Sequence, residues 1–131
     1  QVINHLQDCG RDYRMLDRVY IPADALAAEG AAVGDLAAAR ATPALQRTIA
    51  GLARRTGALL EGSRRFAARI RDSRLALEVD VIQSLAEDLA RRLMASDPLS
   101  ERVHHSRPET AHLFGRALTR FATRRLMGAR P

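Results

Sequence analysis

Tryptophan is missing from this chain of 131 residues, and aromatic side chains make up only 4% of it. Cysteine occurs once, as Cys9. A single thiol cannot close an internal disulfide, and on the apolar side of a helix it reads as a small core residue with no redox role. No run approaches 18 apolar residues, and no charged n-region leads into a hydrophobic stretch, so neither a spanning helix nor a signal peptide is written here. Strand-period alternation, internal repeats and low-complexity tracts are absent. So are Cys/His clusters at ligand spacing, a G-x-S-x-G elbow and a phosphate-binding glycine loop. The chain therefore reads as all-α, with the cytoplasm as its expected location.

Lysine is absent too: all 21 basic residues are arginine, and the formal charge is +6 with a pI near 11.1. Such a balance ordinarily suggests a nucleic-acid partner. These arginines are spread over several helical segments, and with abundant alanine they fit a compositional bias, so no nucleic acid is expected. A basic surface does suit peripheral contact with the anionic inner face of a membrane.

What is present is concentrated in residues 1–12, QVINHLQDCGRD. At about 100° per residue on a helix, Gln1, Asn4, Asp8 and Asp12 fall within an arc of about 80°. Val2, Leu6, Cys9, Tyr13, Ile3 and Gly10 lie opposite, so the helix is amphipathic. Solvent faces usually carry strong helix formers, and Asn and Asp are weak ones. Asp8 and Asp12 are also an i,i+4 like-charge pair, which costs a few tenths of a kcal/mol unless something positive sits between them. Two carboxylates one turn apart suit Mg²⁺, which takes one or two carboxylates and completes its shell with water and phosphate oxygens. Asn4 can add a carbonyl ligand and Gln1 polar support. On spacing alone, an ordinary wet face rich in amides fits equally well.

The run continues through a short spacer into Arg18-Val19-Tyr20-Ile21-Pro22. The pattern Q-x-x-N-x-x-x-D-x-x-x-D followed by R-x-Y-I-P resembles the second aspartate-rich motif of the squalene/phytoene synthase family, whose members join or rearrange prenyl diphosphates head to head. Within that family, NHLQDCGRDYRMLDRVYIPADAL is most like the bacterial hydroxysqualene synthases of hopanoid pathways. The resemblance implies the all-α isoprenoid synthase helical fold, with this chain supplying C-terminal helices. It implies Mg²⁺ held by Asp8, Asp12 and Asn4, and diphosphate held by Gln1, Asn4, Arg18, Tyr20 and Arg102. Arg102 comes from a weaker echo of the family's late region, in L-S-E-R-V-H-H-S-R. The implied substrate is presqualene or farnesyl diphosphate. The first reading is ionisation of presqualene diphosphate to hydroxysqualene or squalene. Alternatives are a presqualene diphosphate or phytoene synthase and, from another class, a non-catalytic helical interaction module.

The chain opens on Gln in mid-pattern, without Met or a capping residue, and no second D-x-x-x-D follows Asp12. A fragment is therefore expected, lacking the first aspartate-rich motif and inactive alone. The few aromatics imply that cation-stabilising rings lie mostly elsewhere. The region around Leu85 is aliphatic where the family often carries a tyrosine.

Further along, residues 23–29 predict a short helix stopped by Gly30, and residues 34–40 another brief helical turn. Thr42-Pro43 opens a long helix whose stripe, Leu45, Ile49, Leu52, Thr56, Leu59, Ser63, Phe66 and Ile70, predicts an end near Arg71. Gly51, Gly57 and Gly62 inside it suggest close helix packing or, alternatively, room for a prenyl chain. Asp72 or Ser73 caps the next helix, expected to be central, with Leu75, Val79, Ile82, Leu85, Leu89 and Leu93 as its stripe and Asp97-Pro98 at its end. Asp80 and Asp88 are read as ion-pair partners of arginines, and His104 and His105 as surface residues. Ser106-Arg107-Pro108-Glu109 forms a capping box before a last helix with Thr110, Phe114, Ala117, Leu118 and Phe121 inward and Gly128 as its stop.

Overall fold

A computed structural model describes residues 1–128, and the side chains of residues 1–123. Five helices follow in order: α1 (Val2–Leu16), α2 (Ala23–Glu29), α3 (Pro43–Ser63), α4 (Ser73–Leu93) and α5 (Arg107–Gly128). Short 3₁₀ turns at Val33–Ala37 and Ala67–Arg69 join them, and no strand occurs among the described residues. None of the described helices is long and apolar enough to cross a membrane. The expected all-α class is what the chain adopts. The expected Gly128 stop coincides with the last residue of α5, and the residues beyond it lie outside those described.

Helix ends follow local chemistry. The Thr42 hydroxyl accepts from the Leu45 N–H at 3.2 Å, and the Asp72 carboxylate accepts from the Leu75 N–H at 2.7 Å, so both are N-caps. The Ser106 N–H donates to Glu109 at 2.7 Å while the Glu109 N–H reaches back to the Ser106 hydroxyl, completing the expected box. Gly30 closes α2 at φ 73°. The brief turn before α3 is 3₁₀ and spans only Val33–Ala37.

The chain forms two compact units. The first, Gln1–Ala58 with Leu89–His104, holds the apolar core: Ile3, Leu6 and Cys9 of α1 are buried, as are Leu26, Leu36, Leu45, Ile49, Leu93 and Leu99. The segment after α4 lies against α1, where a Cβ on Gly10 would sit 2.8 Å from Leu99 Cγ. Asp97, 8% exposed, fixes that segment by accepting from the N–H groups of Ala41 (3.0 Å) and Leu99 (2.9 Å) and from the Ser100 hydroxyl (2.8 Å). Burial alone would raise its pKa, but these donors outweigh it and hold the carboxyl below its ordinary value.

The second unit, Leu59–Asp88 with the residues from His105 onward, carries a set of polar contacts. Arg64 forks onto Glu87 at 2.8 and 3.1 Å, and Gln83 donates to the Leu60 carbonyl and to Glu87. Arg120 bonds the Ser84 hydroxyl at 2.5 Å and pairs with Asp80 at 3.5 Å. Asp80 is therefore the ion-pair partner of an arginine, as expected.

Several expectations fail, mostly in this second unit. Helix α3 stops at Ser63 and not near Arg71. There the Ser63 hydroxyl bonds back to the Leu60 carbonyl while Arg64 turns out to reach Glu87, and a 3₁₀ turn follows. Added Cβ atoms at Gly51, Gly57 and Gly62 would meet nothing within 4 Å, so close packing does not explain these glycines. The buried line of α4 is Ala76, Asp80, Ser84, Ala90 and Leu93, whereas Leu75 and Ile82 are 49% and 65% exposed. The helix ends at Leu93, four residues before Asp97. His105 is not a surface residue: its ring nitrogen lies 2.9 Å from Asp88, and its side chain is 8% exposed. In α5 only Ala117 of the expected inward set is fully buried, and Phe114 and Leu118 are about half exposed.

Candidate functional site: the acidic face of the first helix

Ile3, Leu6, Cys9 and Gly10 point α1 into the core, leaving Gln1 and Asn4 exposed and Asp8 and Asp12 partly covered on the opposite side. Gln7, also buried, was not expected inside. Its side-chain amide donates to the Val103 carbonyl, fastening the chain beside Arg102 to the turn that carries Asp8. Burial pushes the Cys9 thiol up to about 11, so it stays protonated, in keeping with a packing role.

The Asp8 and Asp12 carboxylates converge on one positive atom. Arg11 Nη2 is 3.3 Å from Asp8 Oδ2 and 3.1 Å from Asp12 Oδ1, and Arg11 Nε lies 3.2 Å from the same Asp12 oxygen. The repulsion expected of an i,i+4 acidic pair is relieved by this guanidinium. Sequence reasoning missed Arg11, although its place three residues after Asp8 and next to Asp12 was the available signal.

Beyond Leu16 the chain doubles back. Asp17 adopts the left-handed conformation (φ 51°, ψ 42°), its N–H donating to the Tyr13 carbonyl, and the Arg18 N–H donates to the Asp12 carbonyl at 3.3 Å. Buried Ile21 pins the returning strap, and Tyr20 stacks on His5 with ring centroids 4.0 Å apart. His5, beside Asp12 on the helical wheel, is a second residue the sequence reading passed over. Pro22 itself is extended (φ −59°, ψ 137°) and leads into α2.

The structure thus gathers Gln1, Asn4, Asp8 and Asp12 on one helix, and ties the backbone of Arg18 and the ring of Tyr20 to it. Arg18 and Arg102 are exposed and form no ion pair among the described residues. Arg102 is brought near only through its neighbour Val103. An open depression along α5, lined by His112, Arg116, Thr119 and Arg120, contains none of the expected site residues.

Two carboxylates with a neighbouring amide oxygen are the donor chemistry that a hard ion such as Mg²⁺ takes. Among the described residues no third His, Cys, Asp or Glu joins them.

The family model for squalene/phytoene synthase matches residues 1–109, and the chain belongs to that family. It is 54% identical over 113 residues to a hydroxysqualene synthase of Zymomonas mobilis, covering 86% of this chain and 38% of that protein. It is 56% identical over 104 residues to a hydroxysqualene synthase of Rhodopseudomonas palustris, covering 79% and 36%. A phytoene synthase of Thermus thermophilus is 33% identical over 117 residues, covering 89% and 40%. The chain therefore spans well under half the length of these relatives. No solved structure matches it.

Proposed function

We propose that the protein carrying this chain is a Mg²⁺-dependent prenyl diphosphate enzyme of squalene and hopanoid biosynthesis, ionising presqualene diphosphate and directing the cation to hydroxysqualene. The observation that carries this reading is the convergence of the Asp8 and Asp12 carboxylates on one cation, with the Arg18–Tyr20 strap anchored to the same helix. The higher identity to proteins named hydroxysqualene synthase than to the phytoene synthase favours this reaction over the joining of two prenyl diphosphates.

Breaking the carbon–oxygen bond leaves its electron pair on diphosphate, so negative charge grows on the leaving group. Bound Mg²⁺ supplies Lewis-acid neutralisation of that charge. Asp8 and Asp12 hold the ion directly or through water, with Asn4 as a further oxygen donor and Gln1 as polar support. Arg18 and Arg102, without carboxylate partners among the described residues, are available to grip phosphate oxygens with planar forks. Tyr20, braced by His5, walls the diphosphate end. Water then adds to the carbocation and loses a proton, giving the alcohol.

Product analysis of the whole protein supplied separately with presqualene, farnesyl and geranylgeranyl diphosphate tests this. Hydroxysqualene from presqualene diphosphate is expected. Phytoene from geranylgeranyl diphosphate, with presqualene diphosphate untouched, contradicts it.

A further inference from the structure

Arg11 marks the convergence of the two carboxylates but is given no chemical role above, yet it sits between the groups assigned to the metal. Its guanidinium contacts one oxygen of Asp8 and one of Asp12, at 3.3 and 3.1 Å, and its side chain is 65% exposed. An exposed ion pair of this kind is weak and its long side chain is free to swing. A divalent ion entering between the carboxylates would take the same two oxygens, and its double charge would repel the guanidinium. Released, Arg11 stays on the acidic face, one residue before Asp12. It carries there the planar donor fork that matches phosphate oxygens better than any other side chain.

We propose that Arg11 is an exchangeable counter-ion: it holds the Asp8–Asp12 pair together before metal binds, and is displaced by the ion to grip the diphosphate that the ion brings. This rests on the proposed metal role of Asp8 and Asp12. It makes two opposite demands of one residue. Arg11 competes with metal alone, and it assists diphosphate once metal is bound. By linkage, metal and diphosphate then bind cooperatively through the same side chain.

The test uses the whole protein and its Arg11→Gln, Arg11→Lys, Asp8→Asn and Asp12→Asn variants. Mn²⁺ alone is titrated by paramagnetic resonance, and inorganic pyrophosphate is titrated by calorimetry at saturating Mg²⁺. Arg11→Gln is expected to bind Mn²⁺ alone about three- to tenfold more tightly, and pyrophosphate about fivefold or more weakly. Arg11→Lys, which keeps the charge, should restore much of the wild-type Mn²⁺ affinity. Arg11 is exposed, and thermal melts of its variants matching the wild type would show that the fold is kept. Unchanged or weakened Mn²⁺ binding in Arg11→Gln overturns the proposal, as does unchanged pyrophosphate binding. Failure of the underlying metal reading looks different: Mn²⁺ affinity is then absent from every form, or is left intact by Asp8→Asn and Asp12→Asn, and either outcome also overturns the role given to Arg11.

Discussion

The two units of this chain bury different kinds of residue. In the unit containing α1, the stripe residues Leu45 and Ile49 are almost wholly buried. In the other, residues of the same periodic stripe, Leu59 and Phe66, are 76% and 59% exposed, while Asp80 and Ser84 are buried. Arg64–Glu87, His105–Asp88 and Arg120–Ser84 hydrogen bonds join its segments there. The lesson is that periodicity tells which residues share a face, but not whether anything covers that face.

Core truncation should break this contrast most visibly. Leu45→Ala or Ile49→Ala is expected to cost about 2–5 kcal/mol, whereas Ile82→Ala should cost less than about 1 kcal/mol because the side chain is already largely in water. Chemical denaturation of the three variants checks this, and equal losses would erase the distinction between the units.

Next in size is Asp97. Replacing it with Ala strands the N–H groups of Ala41 and Leu99, at about 2–3 kcal/mol. Because its folded pKa is lowered, its stabilisation is present above the ordinary carboxylate pKa and lost as pH falls through the folded value. Asp97→Asn should therefore flatten the acid limb of the stability curve measured across the carboxylate range, from about pH 6 to about pH 2. Glu87, held low by Arg64 and Gln83 against the opposing effect of burial, adds to the same limb from the second unit.

Glycine substitutions give a smaller effect with a change of sign. Gly10→Ala forces Leu99 aside and should cost about 1–3 kcal/mol despite alanine's better helix propensity. At Gly51, where an added Cβ meets open space, the same change should stabilise by about 0.5–1 kcal/mol. Thermal melts of both variants distinguish the two cases.

Much of the acidic helix was legible in the sequence, because one short amphipathic pattern fixes both the buried side and the polar side of α1. Caps were legible for the same reason: Thr42, Asp72, Ser106 and Gly30 act within a few residues of themselves. What stayed hidden depends on distant partners. Just past the end of α3, Arg64 reaches Glu87, 23 residues away. His105 is buried by Asp88, 17 residues away. Gln7 is drawn inward by a carbonyl 96 residues away. No local pattern records these.

The central claim is that Asp8 and Asp12 jointly hold an ion on which diphosphate departure depends. Its most direct test is Mg²⁺-dependent binding of a non-hydrolysable presqualene diphosphate analogue to the whole protein, compared with Asp8→Asn and Asp12→Asn. Each substitution is expected to weaken Mg²⁺-dependent binding by on the order of 100-fold while leaving the melting curve in place. Analogue affinity that is indifferent to Mg²⁺, and unchanged in both variants, would contradict the account.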